Sequence, residues 1–409
     1  MELTIEQFRE YIIEAWKIAG FSTFTDVQQK SIPLMLQKKD VIVESPPGTG
    51  KTLGYLLPIM QELDKEAKHP QAIIVSPTKE LVMQIHDEAT RFLQGSGFSS
   101  ATFIGGADLK RQIEKFKKHP QIVIGTPHRL VELIEMKKLK MHEIKTIVLD
   151  EADQTISSGM TKEVDRIIQA TLRDRQLVAF SATVPDQTVE MLEKRMNQPT
   201  NIKVESSVEL KEKVAHLYVV CERRDKIDYL RRILHTEPGM KAIAFINDAF
   251  HLEGLAAKMA YKKISVGILY SQSTQAEREA TLKKFRAGKF QLLLATDVAA
   301  RGLDIEGITH VIHLDLPEAI ESFVHRSGRT GRMGASGTVV SIVTSGEEKQ
   351  LKQFERKLGI TMQQVTLFKG QWTEDKQVRS NPKSPTTGSK KKNSSKKGTH
   401  GAFKRPNKK

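Results

Sequence analysis

Val41-Ile42-Val43-Glu44-Ser45-Pro46-Pro47-Gly48-Thr49-Gly50-Lys51-Thr52 reads as a short apolar strand that runs into a glycine-rich turn and then opens a helical stretch. The physics of such a turn is specific. Gly48 and Gly50 let backbone N–H groups point inward as a cradle for phosphate oxygens, with Ser45 and Thr49 in the same loop. The following helix start adds positive potential. Lys51 is placed to reach the outer phosphates of a bound nucleotide, and Thr52 to offer a hydroxyl to Mg²⁺. Alone, the stretch is also compatible with an ordinary glycine turn carrying an incidental lysine. The strand before it and the helix after it supply the context that the phosphate-loop reading demands.

The second decisive stretch is Asp150-Glu151-Ala152-Asp153, directly after the strand-like run Thr146–Leu149. Ligands of open parallel sheets bind at the carboxyl ends of strands, so Asp150 is expected to face the phosphate loop. A hydrated Mg²⁺ takes hard oxygen ligands, which Asp150 provides. Glu151 is the candidate base that orients and deprotonates an attacking water.

Outward from these stretches, the chain alternates strands with helices. Continuous apolar runs appear at Ala72–Val75, Ile122–Ile124 and Leu177–Phe180, with helical spacing over Thr78–Phe92 and Thr161–Leu172. Unbroken rather than alternating runs suit strands covered on both faces, the signature of a parallel sheet built from strand–helix–strand units. The pattern then restarts, with runs at Leu217–Val220, Ala242–Ile246, Leu292–Leu294, Val311–Ile312 and Val339–Val340 and a helix over Thr274–Arg286. A polar stretch near 200–213 separates the two series. The expectation is two α/β lobes, residues 1–205 and 206–368, followed by a basic disordered tail, 369–409.

Composition agrees. The 409 residues suffice for two domains, and 39% apolar residues with 26 glycines allow a core in each. The net charge is +15, but residues 369–409 hold 13 Lys/Arg against 2 Asp/Glu, so most of the excess sits in the last tenth. Such a block cannot bury enough surface to offset its chain entropy and attracts polyanions. Cys221, the single cysteine, excludes an internal disulfide and a cysteine-cluster zinc site, and a reducing, cytoplasmic compartment is expected. No membrane span or signal peptide is expected.

The same residues resemble the DEAD-box family of ATP-dependent RNA helicases, of helicase superfamily 2. The tetrapeptide that names the family stands unchanged at 150–153, and the resemblance extends over about residues 3–345. Gly20-Phe21 with Thr25 and Gln28 resembles its adenine-reading Q motif, and Pro77-Thr78-Lys79-Glu80-Leu81 its PTREL motif. Gly105-Gly106 and Thr126-Pro127-His128-Arg129 resemble its RNA-backbone contacts, and Ser181-Ala182-Thr183 its coupling motif. In the second lobe Gln275–Arg278, Thr296–Asp304 and His325–Arg332 follow in the family's order. Four positions depart from the pattern: Leu3 for an aromatic residue, Phe24 for proline, Lys79 for arginine, and Tyr270-Ser271 for a His-Gly type of pair.

The resemblance implies two RecA-like domains in tandem, with ATP and Mg²⁺ held between them and RNA bound across both. It implies that Lys51 and Glu151 are catalytic together with the arginine fingers Arg329 and Arg332. Phe21, Thr25, Gln28, Ser45, Gly48, Thr49, Gly50, Thr52 and Asp304 would bind the nucleotide, with Thr52 and Asp150 at the metal. Pro77, Thr78, Lys79, Gly105, Gly106, Thr126, Pro127, Arg129, Gln275, Arg278 and Thr296 would contact RNA. Asp153, Ser181, Thr183, His325 and Arg326 would couple the lobes. The implied function is RNA-stimulated ATP hydrolysis driving local unwinding, by a cytoplasmic monomer, with ribosomal precursor particles among the family's targets. The alternative is an ATP-gated RNA clamp. A DNA translocase is disfavoured by the tetrapeptide and the Q motif. The tail would serve as an RNA tether or as a solvated solubility segment.

Overall fold

The computed structural model describes residues 3–204, 213–237, 239–270, 273–297, 305, 307–331, 335–368 and 370–374. The expected linker core at 205–212 and the tail from 375 lie outside them.

The first lobe is a seven-stranded sheet in the order β3-β4-β2-β5-β6-β1-β7. Its strands are β1 (Val41–Glu44), β2 (Ala72–Val75), β3 (Ser100–Phe103), β4 (Ile122–Gly125), β5 (Thr146–Asp150), β6 (Gln176–Ser181) and β7 (Thr200–Lys203). The second is an eight-stranded sheet in the order β10-β11-β9-β12-β13-β8-β14-β15. It comprises β8 (Val214–Val220), β9 (Ala242–Phe245), β10 (Val266–Leu269), β11 (Leu292–Ala295), β12 (His310–His313), β13 (Gly337–Val343), β14 (Gln363–Phe368) and β15 (Gln371–Glu374). Among the described residues every pairing is parallel except β14 with β15.

The apolar runs explain the layering. Side chains alternate faces along a strand. In the first lobe Val41, Val43, Ile74, Val148, Val178 and Phe180 enter one core, and Ile42, Ile73, Val75, Ile147, Leu149 and Ala179 the other. The second lobe repeats this with Ile243, Phe245, Leu293 and Val311 against Ala244, Leu292, Leu294 and Ile312. Each fully buried Leu or Ile is worth about 1.5–3 kcal/mol, so both faces of each sheet are anchored.

Register then sets the site. Asp150 pairs with Phe180, and Glu44 with Ser181. The phosphate loop after β1, the tetrapeptide after β5 and Ser181 at the end of β6 therefore emerge side by side. On the other half of the same sheet, β2, β4 and β3 end together and carry Thr78, Thr126 and Gly105-Gly106.

Two boundaries differ from the sequence reading. Thr200–Lys203, expected in the linker, pairs with β1 as the edge strand β7, half-exposed and therefore polar in sequence. Residues 371–374, expected at the start of the tail, form β15, and Trp372 packs on the core of the second lobe. A hairpin of four residue pairs carries too short an apolar pattern to be read in advance.

Candidate active site

Ser45 N donates to Ser181 O (2.9 Å), which fixes the start of the phosphate loop to β6. Gly50 caps the helix Lys51–Gln61 with φ +89°, a left-handed conformation that suits glycine. A Cβ there would lie 2.6 Å from Gln28 Nε2, because Gln28 donates to Gly50 O (3.1 Å). Gln28 Oε1 accepts from Thr25 N (3.0 Å), so both ends of this amide are engaged within the chain. Ser45 and Thr49 share a hydrogen bond of 2.7 Å, and Lys51 Nζ donates to Ser45 O (2.9 Å), folded along the loop that it serves. Phe21 packs on Trp16 (5.0 Å between centroids), with the Arg91 guanidinium over its ring. Phe24 fills the core between Phe8 and Trp16.

Asp150 is buried at the end of β5. Burial first, and repulsion from Glu151 second, raise its carboxyl to about 7 against the pull of Lys51. Glu151 takes φ +49°, a left-handed conformation rare for a side-chain-bearing residue and one found at functional sites. The kink turns its carboxylate toward Lys51, with Oε1 4.0 Å from Nζ. The Tyr55 hydroxyl is fully buried beside Asp150 and Thr52 without a well-formed hydrogen bond. A phosphate cradle, a hydroxyl and a buried carboxylate short of positive charge form the oxygen donor set that Mg²⁺ with a nucleotide would complete.

Asp153 lies in the first turn of the helix Ala152–Ser157 and is the meeting point of the two lobes. Ser181 Oγ donates to its Oδ1 and Thr183 Oγ1 to its Oδ2 (2.6 Å). His325 Nε2, from the helix Ile320–Ser327 of the second lobe, bonds Oδ2 at 2.9 Å. Burial works to raise this carboxyl, but the hydrogen bond from His325, with those from the two hydroxyls, holds it below the usual carboxylate range. Gln154 Nε2 lies 2.9 Å from His325 Nδ1 and 3.2 Å from Glu151 Oε2. The backbones also meet, since a Cβ on Gly328 would lie 2.5 Å from Pro47 Cγ. Arg329, one turn beyond His325, donates Nε to His325 O (3.3 Å) and lines a cavity of about 440 Å³ between the lobes with Asp153, Gln154 and Pro185.

Arg326 does not reach across. It is buried in its own lobe, with Nη2 on Asp297 Oδ2 and Asn247 Oδ1 (2.8 Å each), Nη1 on Asp315 O (2.8 Å) and the guanidinium over Phe245. Its coupling is indirect, because it fixes the helix that presents His325.

On the RNA-side half, Thr78 caps the helix Lys79–Leu93 through Leu81 N (3.2 Å). Lys79 Nζ lies against Gly106, where a Cβ would come within 2.8 Å of it. Arg129 is buried and holds Ala107 O (3.1 Å) and Glu132 (2.9 Å), so it shapes the loop of Gly105-Gly106. Pro127 opens the helix after Thr126. Arg278 pairs across the lobes with Glu80 (3.0 Å). Thr296 is buried at the end of β11. Gln275 begins the helix Gln275–Arg286. The side chain of Gln275, together with Asp304, Arg332 and Ser271, lies outside the described residues. Sequence reasoning missed Gln154, Asn247, and Glu80 and Asp297 as partners. Each matters through a contact with a residue far away in the chain, for which one sequence holds no signal.

Two parallel sheets in tandem, one carrying a phosphate loop and paired carboxylates, the other laying an arginine- and histidine-bearing helix over them, define a two-lobe, RecA-like P-loop core. Residues 25–192 match the DEAD/DEAH box helicase family model and 225–334 the helicase conserved C-terminal domain. The DEAD-box ATP-dependent RNA helicase CshC of Bacillus cereus is 48% identical over 95% of this chain and 99% of its own. The probable ATP-dependent RNA helicase YfmL of Bacillus subtilis is 46% identical over 88% and 96%. Dbp5 of S. cerevisiae, solved bound to RNA and ADP BeF3, superposes with a TM-score of 0.79 at 26% identity, covering 88% of this chain and 94% of that one. The chain belongs to the DEAD-box family of ATP-dependent RNA helicases.

Proposed function

We propose that this protein is an RNA-stimulated ATPase that couples hydrolysis of ATP to ADP and phosphate with local unwinding of RNA. The observation that carries this reading is the hydrogen bond of His325 to Asp153, which joins the helix that leads into Arg329 to the segment bearing the carboxylates. Lys51 and the amides of Gly48–Thr52 would hold the phosphates, and Thr52 and Asp150 the Mg²⁺. The metal supplies neutralisation of phosphate charge. Glu151, turned toward the site by its left-handed backbone, takes the proton of the water that attacks the outer phosphorus. Arg329 and Arg332 offset the charge that develops there, and Asp304 holds the ribose. Thr78, Lys79, Gly105-Gly106, Thr126-Pro127, Gln275 and Thr296 hold RNA by its backbone, so sequence preference is weak.

Each lobe supplies groups that the other lacks, so hydrolysis depends on closure and closure on RNA. The single chain contains both halves, which supports a monomer. We place its work in the cytoplasm on structured RNA of the kind found in ribosomal precursor particles. RNA cross-linked to the protein in cells and sequenced should be enriched in precursor ribosomal RNA.

The test of the activity is RNA-stimulated phosphate release measured alongside strand displacement of a short duplex. Lys51→Ala and Glu151→Gln should each lower turnover by roughly 10²–10³-fold or more, the scale expected for removing a principal catalytic group. Wild-type turnover in either variant overturns the site assignment. ATPase without displacement would favour the clamp.

A further inference from the structure

We infer that Gln154 is a positioning residue that ties the orientation of Glu151 to docking of the second lobe. This rests on the ATPase reading above and deepens it.

Gln154 is only 5% exposed and stands between the candidate base and the histidine of the other lobe. Its Nε2 lies 3.2 Å from Glu151 Oε2 and 2.9 Å from His325 Nδ1. An ionised carboxylate only accepts, so the atom facing Glu151 is the NH₂ nitrogen. That nitrogen has two protons. One goes to Glu151, and the other reaches His325 Nδ1, which therefore accepts. The histidine is then left with its proton on Nε2, where it donates to Asp153 Oδ2 at 2.9 Å. One amide thus sets both the carboxylate and the ring tautomer.

The arrangement exists only when the lobes are together. Glu151 has no other hydrogen-bond donor at Oε2 among the described side chains: Lys51 lies 4.0 Å from Oε1, and His325 Nδ1 lies 3.7 Å from Oε2. Gln154 Oε1 is buried without a hydrogen-bond partner. A buried orphan acceptor is costly, so this amide orientation is not what packing alone would select. It is what a donor to both Glu151 and His325 requires. With the second lobe undocked, the amide loses the acceptor on its second proton and is free to rotate. Glu151 then keeps only a rotating donor and loses its fixed aim at the attacking water.

The test uses the full chain with saturating RNA. Gln154→Ala should lower kcat about ten- to a hundred-fold, the scale of an ångström-sized misplacement of a reacting group, while the KM for ATP stays within about threefold. Closure, read as energy transfer between one dye on each lobe with RNA and a non-hydrolysable ATP analogue, should persist, because the His325–Asp153 bond remains. Gln154→Glu fills the same volume but removes both donors and places a charge beside Glu151, so it should be at least as slow as Gln154→Ala. In a His325→Ala background, Gln154→Ala should cost less than about twofold more, because residues acting through one another are not additive. Four results overturn the inference: a kcat within twofold of wild type in either variant, additivity with His325→Ala, a loss of closure that accompanies the fall in kcat, or a KM for ATP more than about threefold higher. A wild-type protein without RNA-stimulated ATPase would instead sink the reading on which it rests.

Discussion

The two lobes share one sheet plan but use it in opposite ways. In the first, the chemistry-bearing carboxylates sit at the strand ends, with Asp150 and Asp153 buried and the phosphate loop locked to β6 through Ser45. In the second, the groups that matter sit on the helix Ile320–Ser327 and the turn after it, held from behind by Arg326 against Asp297, Asn247 and Asp315. The first lobe is thus a finished cradle that gathers negative charge, and the second is a rigid mount that delivers positive charge. On the proposed mechanism this difference makes a lobe alone inert and gives the contacts between lobes control of activity.

The sharpest way to break this comparison is Arg329→Ala. If the second lobe delivers the decisive charge, the variant should bind ATP normally and hydrolyse it about 10³-fold or more slowly. Turnover at the wild-type rate would mean that the first lobe suffices. Next comes the mount. Arg326→Ala removes a buried guanidinium that holds the half-buried Asp297, Asn247 and the Asp315 carbonyl, and should destabilise the second lobe by about 1–3 kcal/mol, seen as a lower urea midpoint for one of two unfolding steps. A single unchanged transition would show that the mount is not built on this arginine.

A smaller effect is expected on the RNA side. Glu80→Arg or Arg278→Glu alone should raise the RNA concentration for half-maximal ATPase roughly three- to fivefold, in keeping with about 1 kcal/mol for a partly exposed pair. The double exchange should restore most of it. Failure of that rescue would remove the pair from the closure contacts.

The smallest effects are pH dependences of opposite sign. Asp150 is raised in the fold from 3.8 to about 7, so its contribution to stability is present below 3.8 and lost as pH climbs through about 7. In the second lobe burial pushes His216 down to about 4 from 6.5, and His313 is also lowered, by burial first. A neutral buried histidine contributes stability above 6.5 that is lost as pH falls toward 4. Melts without nucleotide between pH 4.5 and 7.5 should therefore respond to Asp150→Asn at the high end and to His216→Phe at the low end. Each should shift Tm by a few degrees, about 2–4 °C per kcal/mol for a lobe of this size. The same slope from both variants would show that the lobes do not differ in this way.

The parts of the site that were legible in the sequence are those in which chemistry and chain order coincide. The phosphate loop follows β1 and the tetrapeptide follows β5 without a gap, so an apolar run next to the right residues was enough to place Lys51, Thr52, Asp150 and Glu151 on one sheet edge. The parts that were not legible are of two kinds. Strands β3, β7, β10, β14 and β15 are short or mixed in polarity. Most of them lie at or near a sheet edge, where one side is uncovered and the apolar signal fades. Arg129 and Arg326 were read as RNA-binding and lobe-coupling groups, yet both are buried within their own lobes, where they hold loops and helices in place. An arginine in a motif has the same letter whether its guanidinium faces a ligand or a carboxylate behind it.

What the sequence determined by itself is therefore local: two series of parallel strands, a phosphate cradle at the end of one strand and paired carboxylates at the end of another. Periodicity and backbone freedom are properties of neighbouring residues, so they can be read in order along the chain. What only the tertiary structure decided is the meeting of the lobes, with His325 on Asp153, Gln154 between Glu151 and His325, Arg278 on Glu80, and Gly328 against Pro47. These pairs stand far apart in sequence, and their geometry comes from how two independently packed cores fit together, which no stretch of residues contains alone.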